Sequence, residues 1–250
     1  MPNIIIPHDA KKVKNNQAPH GIIVQNIDFF FEFLYKTTKK NERMTSTMAK
    51  LKWKGGALVA PVPPAMISCM GADGKPNILT IAWTGILATN PPKTYISVRP
   101  GRFSYPLIKE SGEFVINLTT EALVRAADFC GVRSGKDVNK FEHCMLTPVA
   151  SPNVSAPMIG ESPVSIECRV TDTVPLGTHD MFIADIVGVN IDPALLDEAG
   201  ALHLEKAGLV AYSHGDYFAL GKKLGDFGYS VRKKSTEKRR NAKKKPGTKR

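Results

Sequence analysis

The chain has 250 residues, 42% of them hydrophobic, and a formal net charge of +11, enough length to bury a sizeable core in one large or two small domains. The charge is uneven: residues 231–250 hold 11 Lys/Arg against one Glu, residues 1–47 are net +3, and residues 48–230 are net −2. The total therefore does not imply a basic nucleic-acid groove on the folded body, and no apolar run is long enough to span a bilayer.

Residues 1–47 join a Lys/Asn-rich piece, an aromatic cluster (FFFEFLYK, 29–36) and a polar run without sustained helix or strand period. They are expected to be an atypical N-terminal extension or upstream sequence from an early start assignment, with a partner-binding arm anchored by Phe29, Phe30, Phe31 and Phe33 as the alternative. No secretory signal is visible. From Ala57 the pattern turns β-rich. Runs at 65–70 and 77–83 flank GADGKP, whose Asp73-Gly74 pair signals a hairpin.

Residues 76–118 contain two strand-like runs, Ile78 to Trp83 and Thr94 to Val98, each with one face expected inward. Pro91 and Pro92 lack amide donors and belong in the connection between them. Ser104 suits an N-cap, Pro106 a first helical turn and Gly112 a helix stop, predicting a short helix over about 105–111. Arg99, Arg102 and Ser104 at that start make a plausible phosphate corner; they read equally as two surface arginines and an ordinary cap. Trp83 and Thr84, ending the first strand, have the chemistry to pack beside a flat heterocycle, while the plainer reading puts Trp83 in the core.

A strand is expected at 113–118, then a helix EALVRAADFC capped by Thr119 or Thr120 and stopped by Gly131. The Gly-containing loop 131–148 carries Lys136 and Lys140, read as solvated unless a ligand's anionic or carbonyl edge lies within reach, and a short helix near 137–142. Residues 163–174 and 180–191 alternate as an antiparallel pair joined by PLGTHD, with His179 at the start of the second strand. The glycines at 221, 225 and 228 have the wrong spacing for a phosphate loop. Cys69, Cys130, Cys144 and Cys168 show no CxxC pair and no metal-ligand spacing, so buried free thiols in a reducing cytoplasm are expected. His143 and Cys144 adjoin, yet sequence neighbours need not face each other. The tail 231–250 reads as a basic, disordered segment, with weak nucleic-acid attraction as its alternative role.

Taken together, the ordered blocks NILTIAWTG, PPKTYISVRPGRFSYPLI, GEFVINL, ALVRAADFCGVRSGKDVNKF, SPVSIECRV, LGTHDMFIADIV and AYSHGDYFALGKKLGDFGYSVRKK resemble the flavin reductase-like, split-barrel family, most closely its flavoredoxin-like members. The resemblance implies a mainly β fold with some α: an FMN-binding split β-barrel with short peripheral helices over 48–230, forming a homodimer. It implies FMN as cofactor, with FAD disfavoured, and NAD(P)H as a possible donor. Electrons taken up at flavin N5 would pass to free flavin, ferric complexes or a protein acceptor; an FMN-binding electron carrier or sensor without NAD(P)H turnover is the alternative. Carried onto this chain, Thr80, Ala82, Trp83 and Thr84 would line the flavin ring, and Ser97, Arg99, Arg102, Ser104 and Tyr105 would hold the phosphate and ribityl chain. Asn117 and Leu118 would flank the site, Lys136 or Lys140 would close over the ring, and His179 would stand on the nicotinamide or substrate side as the candidate catalytic residue. No metal is implied.

Overall fold

A computed structural model describes residues 50–232; the N-terminal extension over 1–47 and the tail beyond Arg232 lie outside the described residues. Contacts divide the chain between Ala57 and Leu58, and the body from Leu58 onward is described below.

Seven strands form one sheet: β1 (Ala65–Met70), β2 (Pro76–Ile81), β3 (Thr84–Thr89), β4 (Pro92–Val98), β5 (Glu113–Leu118), and two twelve-residue strands, β8 (Val164–Pro175) and β9 (Asp180–Ile191). Their order is β2-β1-β5-β8-β9-β4-β3, and every neighbouring pair is antiparallel. Two-stranded ribbons complete the β structure: β6 (Pro148–Val149) with β7 (Met158–Ile159), and β10 (Val210–Ser213) with β11 (Asp216–Ala219).

Consecutive strands β2 and β3 stand at opposite edges of this sheet, joined only by Ala82 and Trp83. Three Cα steps reach about 11 Å at most, so the sheet curls until its edges approach. The inside of the curl is the main core. Residues from six of the seven strands meet there: Ile67 of β1, Leu79 of β2, Ile96 and Val98 of β4, Phe114 and Ile116 of β5, Cys168 of β8, Phe182 and Ala184 of β9. Helix α1 (Ser104–Ser111) contributes Ile108 to the same core. The helix ends at Gly112, whose φ of 66° is the left-handed conformation that favours glycine.

The other face of β1 and β2 is also covered. Helix α2 (Val124–Val132) and the single-turn α3 (Lys140–His143) bury Met66 and Ile78 against Leu123, Ala127, Cys130 and Phe141. A half-solvated reading of β2 therefore holds only at its ends. Asn117, on β5, is fully buried: its side-chain amide donates to the Met66 carbonyl and Ser68 Oγ, while its oxygen accepts from Ile159 N–H and Ser165 Oγ.

Four local expectations are corrected. The run 78–83 is not one strand, because the chain bends at Ala82 and Trp83 and pairs again as β3, where Gly85 lies against the Tyr95 ring. Ser104 is not an N-cap; it is buried within the first turn and its hydroxyl accepts from Asn77 Nδ2 at 2.7 Å. Neither Thr119 nor Thr120 supplies a side-chain cap to the turn before α2. Gly131 does not stop α2, which runs one residue further to Val132; it sits close to β2, where an added Cβ would lie 3.3 Å from Thr80 Cβ and Thr80 would have to give by a few tenths of an ångström.

Candidate functional site

A cleft of about 380 Å³ opens where the curled sheet fails to close, between the ends of β2 and β4. Its floor is Leu79, Thr80 and Ile81 of β2 and Ser97 and Val98 of β4. The link residues Ala82 and Trp83 form one side, with the Trp83 carbonyl accepting from Ser97 N–H at 3.0 Å. Asp128, Gly131 and Val132 of α2 form another, and Tyr212 and Tyr217 of the β10–β11 hairpin complete the wall.

Trp83 is 44% exposed, so it is no core residue. Its indole meets the His179 ring edge to face, centroids 4.5 Å apart. Arg99 Nε–H donates to His179 Nε2 at 3.4 Å. Because a guanidinium only donates, Nε2 must accept, and a neutral ring then carries its proton on Nδ1, where Thr178 Oγ1 lies 2.9 Å away. Burial, with Arg99 and Arg102 adding to it, holds the His179 pKa below its ordinary value.

Arg102 Nη1 donates to the Gly131 carbonyl at 3.1 Å, which ties the turn after β4 to α2. The turn itself is closed by Arg102 N–H on the Arg99 carbonyl and Tyr105 N–H on the Arg102 carbonyl. Two guanidinium groups and one carboxylate thus line the cleft, and that carboxylate, Asp128, accepts from Tyr217 O–H at 3.4 Å. Burial first, then Asp128, pushes the Tyr217 hydroxyl up to about 12.

Seven of the residues singled out in the sequence line the cleft together: Thr80, Ala82, Trp83, Ser97, Arg99, Arg102 and His179. The other seven stand outside its lining. Thr84 donates to the Tyr95 carbonyl, and Tyr105 donates to Asp180 Oδ2. Asn117 is the buried hub of the core, and Leu118 packs against that core. Lys136 is exposed. Lys140 is neither solvated nor aimed at a ring: at 3% exposure its ammonium donates to the carbonyls of Ile78 and Cys130, joining β2 to α2. Lys140 and Ser104 do line a smaller cavity of about 100 Å³, which shares Leu79, Arg102 and Val132 with the cleft.

Sequence reasoning missed Asp128, Gly131, Val132, Tyr212 and Tyr217. The one usable signal was AYSHGDYFA, two short alternating runs around His214-Gly215, which forms the β10–β11 turn at positive φ.

The cleft carries a test for a bound polar heterocycle. Thr80 Oγ1 is buried in the lining and has no hydrogen-bond partner among the described residues; Thr119 Oγ1, the other such hydroxyl, lies outside it. An orphaned buried hydroxyl costs about 1–3 kcal/mol unless an outside atom satisfies it. With an orphaned donor at the floor, a flat indole at the side and two cationic forks at the rim, the residues fit a flavin nucleotide.

Comparison with known proteins agrees. Residues 59–221 match the flavin reductase like domain. The chain is similar in structure to flavoredoxin of Desulfovibrio vulgaris (Miyazaki F), at a TM-score of 0.69 and 31% identity over 74% of this chain and 100% of that one. In sequence it is 36% identical over 123 residues to an uncharacterized protein of Archaeoglobus fulgidus, covering 49% of this chain and 70% of the relative. It is also 27% identical to an NADPH-flavin oxidoreductase of Streptomyces viridifaciens over 62% of this chain and 82% of that protein. The chain belongs to the flavin reductase-like family of flavin-related oxidoreductases, and its curled sheet is that family's split barrel.

Proposed function

We propose that the cleft binds FMN and that the protein is an NAD(P)H-linked flavin oxidoreductase whose electrons go to free flavin, a ferric complex or a protein acceptor. The observation that carries this reading is the meeting of the orphaned Thr80 hydroxyl with Trp83, Arg99, Arg102 and His179 in one cleft. Bound flavin would supply reversible two-electron chemistry that no side chain here offers. Arg99, Arg102 and Ser97 would hold the phosphate and ribityl oxygens, and Thr80 with the backbone of Ala82 and Trp83 would meet the polar edge of the ring. His179, neutral and braced by Arg99, would border the nicotinamide side with a hydrogen-bonding edge and no competing charge.

A homodimer is part of the same reading. β3 is an edge strand whose pairing shifts between Ile86 and Ala88, leaving Ile86 65% and Leu87 47% exposed, and apolar side chains on a sheet edge suit burial against a second copy. A flavin-binding electron carrier is the second reading, favoured by the likeness to flavoredoxin.

The deciding experiment is an absorbance spectrum of the purified protein, then anaerobic addition of NADH and of NADPH. A flavin spectrum bleached by either nucleotide supports the reductase and names its donor. A flavin that stays oxidised supports the carrier. No flavin after reconstitution with FMN overturns both.

A further inference from the structure

Behind the α2 wall lies a second cleft of about 650 Å³, lined in part by Arg125, Phe129, Arg133, His143 and Cys144. Cys144 follows α3 directly and is half-buried. Its Sγ lies 4.0 Å from Sγ of Cys130, a fully buried residue of α2. The two thiols stand fourteen positions apart in the chain, which is why no CxxC pattern announces them. The Cys130 backbone is fixed by the ammonium of Lys140 on its carbonyl at 2.8 Å, and the Phe129 and His143 rings stack beside the pair, centroids 4.1 Å apart.

We propose that Cys144 and Cys130 form a redox-active dithiol that exchanges with acidic low-molecular-weight disulfides entering this second cleft. The cleft supplies the recognition: Arg125 and Arg133 line it against the single carboxylate of Asp128, which the Tyr217 hydroxyl already engages. Its cationic bias draws carboxylate-bearing disulfides.

The order of events follows from access. Cys144 lines the cleft, whereas burial, with Cys144 itself adding to it, pushes the Cys130 thiol up to about 12. Cys144, the thiol that lines the cleft, attacks one sulfur of RSSR as its thiolate; that disulfide breaks, one RS⁻ leaves and takes up the Cys144 proton as RSH, and Cys144–S–S–R remains. Cys130 then gives up its proton and attacks Cys144 Sγ, expelling the second RSH. Two protein thiols and one RSSR become one intrachain disulfide and two RSH, a two-electron oxidation of the protein matched by reduction of the acceptor. Bond formation needs the sulfurs to close from 4.0 Å to about 2.05 Å, a movement that falls on the residue just after a four-residue helix.

The full-length protein, reduced and then exposed to oxidised glutathione, tests this. The expected result is loss of two thiols of four, with the Cys130 and Cys144 peptides cross-linked in a non-reducing digest. Cys130→Ser should accumulate one glutathione adduct at Cys144, and Cys144→Ser should take up none at Cys130. Replacing Arg125 and Arg133 together by Gln should slow reaction with oxidised glutathione roughly tenfold, the scale of electrostatic steering, while leaving reaction with neutral 2-hydroxyethyl disulfide unchanged. Retention of all four thiols, or adducts on Cys69 or Cys168 in place of the cross-link, overturns the dithiol; equal slowing with both disulfides overturns the acidic substrate. Should Cys130→Ser fail to fold, the cross-link map of the unaltered protein decides alone.

Discussion

Arg99 and Arg102 stand three residues apart on a closed turn, and their roles differ. Arg102 is already spent partly on the Gly131 carbonyl, whereas Arg99, among the described residues, donates to His179 at a long 3.4 Å. Arg99 is thus the more available group for a phosphate. Its replacement by Ala should weaken FMN retention about tenfold or more, since a charge-assisted hydrogen bond is worth roughly 1.5–3 kcal/mol. Fluorescence titration measures this directly, and an unchanged affinity would remove Arg99 from the phosphate site. His179 carries a pH signature. Its folded pKa lies below the ordinary 6.5 because burial and two arginines disfavour the imidazolium, so the unfolded chain binds that proton more readily. Stability should be steady above about pH 6.5 and fall as pH drops from there through the lowered folded value. Urea melts between about pH 7 and pH 5 should show a smaller loss for His179→Gln than for the parent; equal losses would mean that the ring does not feel its arginines. Trp83, Arg99 and Arg102 were legible in the sequence because they fall at the ends of two neighbouring strand-like runs. Asp128 and Tyr217 were not, because their pairing spans 89 positions and no local pattern encodes it.

Among the elements, α2 decides whether the cleft has a wall. It is held to β2 by the apolar contacts of Ala127 and Cys130 with Ile78, by the close approach of Gly131 to Thr80, and by the buried ammonium of Lys140. Lys140→Met keeps the volume of the stem but strands two carbonyls. The net cost should be about 2 kcal/mol, because each unpaired carbonyl costs about 1–3 kcal/mol and removal of a buried cation recovers part of that. A urea midpoint equal to the parent's would show that the ammonium is no clamp. Strand positions were readable from alternation: β1, β5, β8 and β9 fall within a residue or so of where the pattern put them. β3 was not, since TGILAT has its two large apolar residues side by side and exposed, and burial-driven alternation has nothing to act on at a bulged edge. The fate of Lys140 was equally hidden, because a lysine in a polar loop reads as solvated until a second element supplies the carbonyls that bury it.

For the whole molecule, the two open edges of the sheet are the consequential features. If β3 meets a second copy as proposed, Ile86→Lys should yield a folded monomer by light scattering with an unaltered circular dichroism spectrum; a parent protein that is already monomeric would sink the dimer. The overall class was legible because many weak blocks occur in the right order, each consistent with the same split barrel. The sharing of one cleft by β2, β4, α2 and the late β10–β11 hairpin was not, since it exists only after the sheet has curled.

That curl has a mechanical meaning. With only Ala82 and Trp83 spanning from one margin of the sheet to the other, the width of the cleft and the curvature of the whole sheet are a single degree of freedom. A ligand seated across the gap acts as a rivet on a rolled sheet: it resists unrolling of every strand, including those it never touches. Tightness of binding and rigidity of the barrel should therefore rise and fall together, with the two-residue strap setting how far the roll can relax.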